Sequence, residues 1–187
     1  MRRLFLCFMA TMMVMILVAC GGGNSKNIFT DPEAMGQIMG ALQNRDELKG
    51  QELMVFQDVT VVNSKDHGGN FIVIHLLKPG TKEDVDQYEY RSGSWSSPSP
   101  VTITGDGDMA DNLTPWNEFQ FEKLPVMYKA MSDKMKEEKV EGVKDQVTMV
   151  YRFWRGKIIP MMSIESERAK YSAEFALDGT MTSFKKN

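Results

Sequence analysis

Apolar residues recur along this chain in two rhythms, and the rhythms alternate. Met35, Ile38, Met39 and Leu42 stand at the spacing of one helical face. Asp31-Pro32-Glu33 precedes them as N-cap, first-turn proline and first-turn acid, and a polar run from Asp46 to Gln51 closes the segment. The period then shortens. Leu53–Asn63, Phe71–Leu77 and Val85–Tyr90 are rich in Val, Ile, Phe and Tyr and predict strands. Asp66-His67-Gly68-Gly69-Asn70 and Lys78-Pro79-Gly80 supply the turns between them, and Val101–Thr104 predicts a short fourth strand.

After Asp106–Pro115 the order repeats. Phe121, Leu124, Tyr128, Met131 and Met135 form one stripe through a charged helix that ends near Gly142, with Pro125 close enough to its start to be tolerated. Strands are predicted at Gln146–Trp154, Lys157–Glu165 and Tyr171–Leu177, with Arg155-Gly156 as a tight hairpin and Asp178-Gly179 turning the chain into Thr180–Phe184. The halves overlay. A shift of 86 residues sets Met35 on Phe121, Ile38 on Leu124, Ile72 on Ile158 and Gly93 on Gly179, and a shift of 88 sets Val59–Val62 on Val147–Val150. The expected body is α+β: two tandem repeats of a helix plus an antiparallel meander, residues 29–105 and 118–187, with both helices packed on one face of the sheet or sheets. Residues 106–117 would be the linker.

The chain begins differently. Met1-Arg2-Arg3 is a positive start, and Leu4 to Ala19 is apolar apart from Thr11. A bilayer-spanning helix needs about 20 apolar residues, so this shorter run is better suited to a signal segment, residues 1–19. Leu17-Val18-Ala19-Cys20 resembles the lipobox of bacterial lipoproteins. The resemblance implies cleavage before Cys20, diacylation of its thiol and acylation of the new amino group. Gly21-Gly22-Gly23-Asn24-Ser25-Lys26-Asn27 follows as a flexible polar stretch, so residues 20–28 are expected to be a tether. By the sorting rule of enteric bacteria, Gly21 rather than Asp after the Cys implies the outer membrane. With Cys7 lost and Cys20 lipidated, the body keeps no free thiol, which excludes a disulfide, a thiolate metal site and a cysteine nucleophile.

Charge narrows the partners. From residue 20 onward the chain carries 20 basic and 25 acidic side chains, and the basic ones are scattered or paired, as in Lys134-Met135-Lys136-Glu137-Glu138-Lys139. Nucleic acid is therefore not an expected partner. Catalytic motifs are missing too. His67 and His75 lie on different elements with no HExxH, no Ser stands in a G-x-S-x-G elbow, and Gly105-Asp106-Gly107-Asp108 lacks the lysine of a phosphate loop. No cofactor motif is present. Asp106, Asp108 and Asp111, with Asn112, are the candidate oxygen set for calcium, although the spacing is not that of an EF-hand and an acidic linker reads the same way. Among the aromatics, Tyr88 and Tyr90 share one strand face, Trp95 follows the next turn, and Trp154 ends a strand. These four are the candidate ligand-binding set, unless they complete the core.

The helix-plus-meander order over residues 30–187 resembles the β-lactamase-inhibitor-protein-like and PepSY-like lipoproteins of Bacteroidota. That resemblance rests on architecture and implies a non-catalytic binding or inhibitory module. Three functional classes stay open on the sequence. They are a lipid-tethered envelope module with a protein, peptide or glycan partner, a hydrolase using an acid pair, and a structural subunit of an outer-membrane complex.

Overall fold

A computed structural model describes residues 26–105 and 107–187. In chain order it contains helix α1 (Ala34–Gln43) and strands β1 (Met54–Phe56), β2 (Val59–Ser64), β3 (Gly69–Leu77), β4 (Val85–Arg91), β5 (Ser94–Trp95), β6 (Ser99–Val101) and β7 (Leu113–Pro115). Helix α2 (Leu124–Glu137) and strands β8 (Val143–Trp154), β9 (Lys157–Ser166), β10 (Lys170–Phe175) and β11 (Met181–Lys186) follow. The α+β class expected from the two rhythms holds. All eleven strands of the described residues join one antiparallel sheet, running β11-β10-β9-β8-β2-β3 and continuing through β4, with β1 also beside β3 and β7 beside β1.

Helix α1 forms where its apolar face demands. Met35, Ile38, Met39 and Leu42 are buried, and the Asp31 carboxylate accepts the N–H groups of Glu33 (2.9 Å) and Ala34 (3.1 Å), as an N-cap should. The ammonium of Lys26 at 2.9 Å, together with those N–H groups, holds the Asp31 carboxyl below the usual carboxylate range. In α2, Pro125 sits in the first turn, and Leu124, Met127, Met131 and Met135 are buried. Both helices share a core with alternate strand residues, among them Val61, Ile72, Ile74, Met149, Met162 and Tyr171. In β3 the alternation is complete: Asn70, Ile72, Ile74 and Leu76 are buried while their neighbours are half-exposed.

At the centre β2 and β8 run antiparallel, with Val61 opposite Met149, Thr60 opposite Val150 and Val62 opposite Thr148. From this pair one meander runs outward through β3, β4 and β5, and the other through β9, β10 and β11.

Four expectations change. Leu53–Asn63 is not one strand, because Gln57 takes a positive φ of 57° and the chain breaks into β1 and β2. The fourth strand lies at Ser99–Val101, two residues before its expected start. The linker at 106–117 contributes β7, which pairs with β1 through Val55 and Thr114. Finally, Lys26 to Ile28, expected in the tether, belong to the body. Ile28 and Phe29 are fully buried. Asn70, itself 1% exposed, donates to the Lys26 carbonyl (2.7 Å) and accepts from the Ile28 N–H (3.3 Å) and from Asn63 (2.7 Å). Asn27 donates to Asn63 at 3.1 Å. A buried polar side chain must satisfy its groups, and this asparagine does so by clamping the start of the body to the β2–β3 hairpin.

Candidate functional site

The break at Gln57 forks the sheet. On one side of it β1 pairs with β7, and on the other β2 pairs with β8. Beyond Tyr151, β8 runs past the end of β2, so Arg152, Phe153 and Trp154 keep only β9 as a strand neighbour. The Asp58 carboxylate accepts the Phe153 N–H at 2.8 Å, taking the place of the missing ladder carbonyl. Across the gap, the Asn112 carbonyl accepts the Gln57 N–H at 2.9 Å.

Two adjoining cavities of about 480 and 390 Å³ occupy the fork, and both touch Asp111, Phe153 and Arg155. The first reaches Thr114, Glu118 and Gly156, and the second reaches Asp58, Arg152 and Trp154. These volumes suit a small ligand or a side chain of a larger one. The chemistry is mixed. Trp154 is 59% exposed, with the Arg155 guanidinium 5.6 Å from its ring centre. Arg152 stands 3.9 Å from Asp58, both open to solvent. Thr114 is 3% exposed, and among the described residues its hydroxyl oxygen has no hydrogen-bond partner, although the residue lines the cavity. An orphaned buried hydroxyl beside a cavity is a group that a polar ligand would satisfy. Backbone strain gathers here as well. Gln57 (φ 57°) and Arg155 (φ 50°) both take the left-handed region that side chains other than Asn and Asp avoid.

Of the four aromatic candidates, only Trp154 remains at the surface. Tyr88 and Tyr90 point into the core, where they join the buried residues of both helices. Burial pushes the Tyr88 hydroxyl up to about 12, helped by Glu47 and Asp86 and opposed by Arg45, and it raises Tyr90 as well. Trp95 is half-buried against Tyr90 (ring centres 5.4 Å apart), and its Nε1–H donates to the Ile38 carbonyl at 2.8 Å, so it fastens β5 to α1. The four therefore do not form one recognition surface. Two of the three calcium candidates lie within the described residues. Asp108 caps a 3₁₀ turn by accepting the Ala110 N–H at 2.9 Å, and Asp111 turns toward the fork. Asp106 lies outside the described residues, as does Cys20. Among the described residues, no group of three or more His, Cys, Asp or Glu could hold a metal. His75 shares a hydrogen bond of 3.0 Å with Gln87 on the next strand.

The site thus joins three candidates, Trp154, Asp111 and Asn112, with five residues that the sequence did not single out: Gln57, Asp58, Thr114, Glu118 and Arg152. The available signals were the Arg155-Gly156 hairpin, which marks a loop tip, and the polar pair Gln57-Asp58 inside an otherwise apolar strand.

No helix among the described residues is long and apolar enough to cross a membrane. No protein-family model matches the chain, and no curated protein matches its sequence. Its fold is similar to that of a solved structure described as a putative lipoprotein from Clostridium difficile 630, with a TM-score of 0.50 and 11% identity over 80% of this chain and 90% of that one. At that identity the two proteins have a fold in common: a largely antiparallel sheet carrying two helices.

Proposed function

We propose that this protein is a lipid-anchored binding module of the bacterial cell envelope, without catalytic activity, that offers the fork cleft to a protein, peptide or glycan partner. Residues 1–19 act as the signal, Cys20 carries the acyl chains, and the outer membrane is the destination. The observation that carries this reading is the placement of the two ends. The body is clamped at Asn63 and Asn70, at one end of β2, and the fork opens at Gln57-Asp58, at the other. At about 3.3 Å per strand residue these points lie roughly 20 Å apart along the strand. A molecule held by its N-terminus therefore leaves the cleft, at the opposite end of β2, free to face away from the membrane. The fold likeness to a putative lipoprotein fits the same picture.

Duplication of one helix-plus-meander unit is part of the proposal. Under the shift of 88, Val61 and Met149 are counterparts, and they face each other; Thr60 faces the counterpart of Val62, and Val62 the counterpart of Thr60. Such a register is what a two-fold axis between β2 and β8 would produce. In the next strand, Ile72 pairs with Val61 as Met162 pairs with Met149, so the ladders match Ile72 to Met162 rather than to Ile158. The longer second hairpin, ending in Trp154 and Lys157, accounts for the difference.

Two experiments test the function. A Cys20→Ser variant should leave the membrane fraction; if it still partitions with membranes after signal processing, the anchor assignment is wrong. Affinity capture from envelope extract with the intact protein should retain a partner that Trp154→Ala loses. Turnover of an envelope polymer that stops in Asp111→Asn or Glu118→Gln would overturn the non-catalytic reading.

A further inference from the structure

A further cavity, of about 230 Å³, lies at the end of the molecule opposite the fork, between the C-terminal half of α2 and the start of β8. Met135, Val147 and Ile164 form its floor and Tyr128 part of its wall, and Val143 stands half-exposed at its mouth. The apolar lip has a local cause. The ladder between β8 and β9 shifts register between Val143 and Val147, which lifts the start of β8 out of the regular sheet. Asn27, held by Asn63, completes the rim, so the cavity opens beside the point where the N-terminal segment joins the body.

We propose that this cavity receives the end of one acyl chain carried on Cys20 of the same molecule. The proposal rests on the lipoprotein reading and says where part of the lipid goes. Two observations select this occupant. The first is charge. The charged groups at the rim are engaged in exposed pairs: Lys144 with Glu165 at 3.0 Å, Asp145 with Lys65 at 2.7 Å, and Lys136 at 3.7 Å from Asp133, a carboxylate it shares with Lys129. The rim therefore offers an ionic ligand only solvent-screened side chains, while the buried Met135, Val147 and Ile164 suit an alkyl end. The second is reach. Asn27 is seven residues from Cys20, and at up to about 3.5 Å per residue the intervening chain spans at most roughly 24 Å. The attachment point thus lies within that reach of the rim, which gives its own acyl chains an effective concentration that monomeric lipid in water does not reach. Seating one chain withdraws it from the bilayer and draws the body down toward the surface, while the remaining chains keep the anchor.

The test uses full-length protein in membranes, with the photoreactive residue p-benzoylphenylalanine placed at Val143 and, separately, at Ser132 on the opposite wall; Trp154 carries the same probe as control. After irradiation and digestion, mass spectrometry should find the Cys20 lipopeptide joined to the peptide bearing the probe at both cavity positions, several-fold above the control. If Cys20 is acylated but the cavity probes join only phospholipid, or join nothing above the control, the proposal is wrong while the anchor reading survives. If Cys20 carries no acyl mass, both fall together.

Discussion

Asn70 is the side chain on which the start of the body depends. It holds three groups from a nearly water-free position, so Asn70→Ala strands the Ile28 N–H and the Lys26 carbonyl without their partner. Each buried group left unmade costs about 1–3 kcal/mol, so a loss of about 3 kcal/mol is expected, read as a lower urea midpoint with unchanged slope. Tyrosine burial sets the alkaline limit. The Tyr88 hydroxyl ionises at about 12 in the folded chain against 10.0 ordinarily, and burial raises Tyr151 further still. The unfolded chain therefore sheds these protons first, and stability should fall as pH rises from about 10 through 12. Tyr88→Phe should flatten that decline in a denaturation series, and an unchanged slope would reassign it. Arg155 is strained at φ 50° in a two-residue turn whose other member, Gly156, also has positive φ. Arg155→Asn should relieve the strain and raise stability by about 0.5–1 kcal/mol, while weakening capture of the partner at the fork. A higher thermal midpoint with capture intact would separate Arg155 from the site.

Elements were legible where one local rule decided them. The α1 face, its Asp31 cap, the Pro125 start of α2 and the alternating strands of both meanders follow from spacing and turn chemistry alone. The break between β1 and β2 was marked only by the polar pair Gln57-Asp58, because the rest of Leu53–Asn63 has strand composition. What interrupts it is the Asn112 carbonyl, from a segment more than fifty residues away, reaching the Gln57 N–H. The face shared by Tyr88 and Tyr90 was read correctly, yet alternation alone does not say which face a helix will cover. The turn at Asp178-Gly179 shows how tightly elements meet. Gly179 has φ 96°, and a Cβ there would lie 3.1 Å from a Val126 methyl on α2. Gly179→Ala should therefore cost about 1–2 kcal/mol, in strain at the turn and displacement of the helix. A cost near zero would mean that the β10–β11 turn is free to move off α2.

At the scale of the whole molecule, the centre of the sheet lies between residues far apart in sequence. Val61 and Met149 face each other with further strands on both sides, whereas β7 and β11 end the sheet. Hydrogen exchange should accordingly be slowest at the amides of β2 and β8 and fastest in β11, and equal protection across all strands would contradict this gradient. Only the Trp154, Asp111 and Asn112 part of the candidate site could be read in advance, since the fork exists only once β7 and β8 flank the same broken strand. That arrangement has a mechanical side. If the partner is caught at the fork while fat holds the opposite tip, any drag between cell and partner stretches the body lengthwise along β2 and β8. The ladder joining them is then loaded in shear, so its bonds must yield together instead of unzipping singly, and the seam should resist tearing.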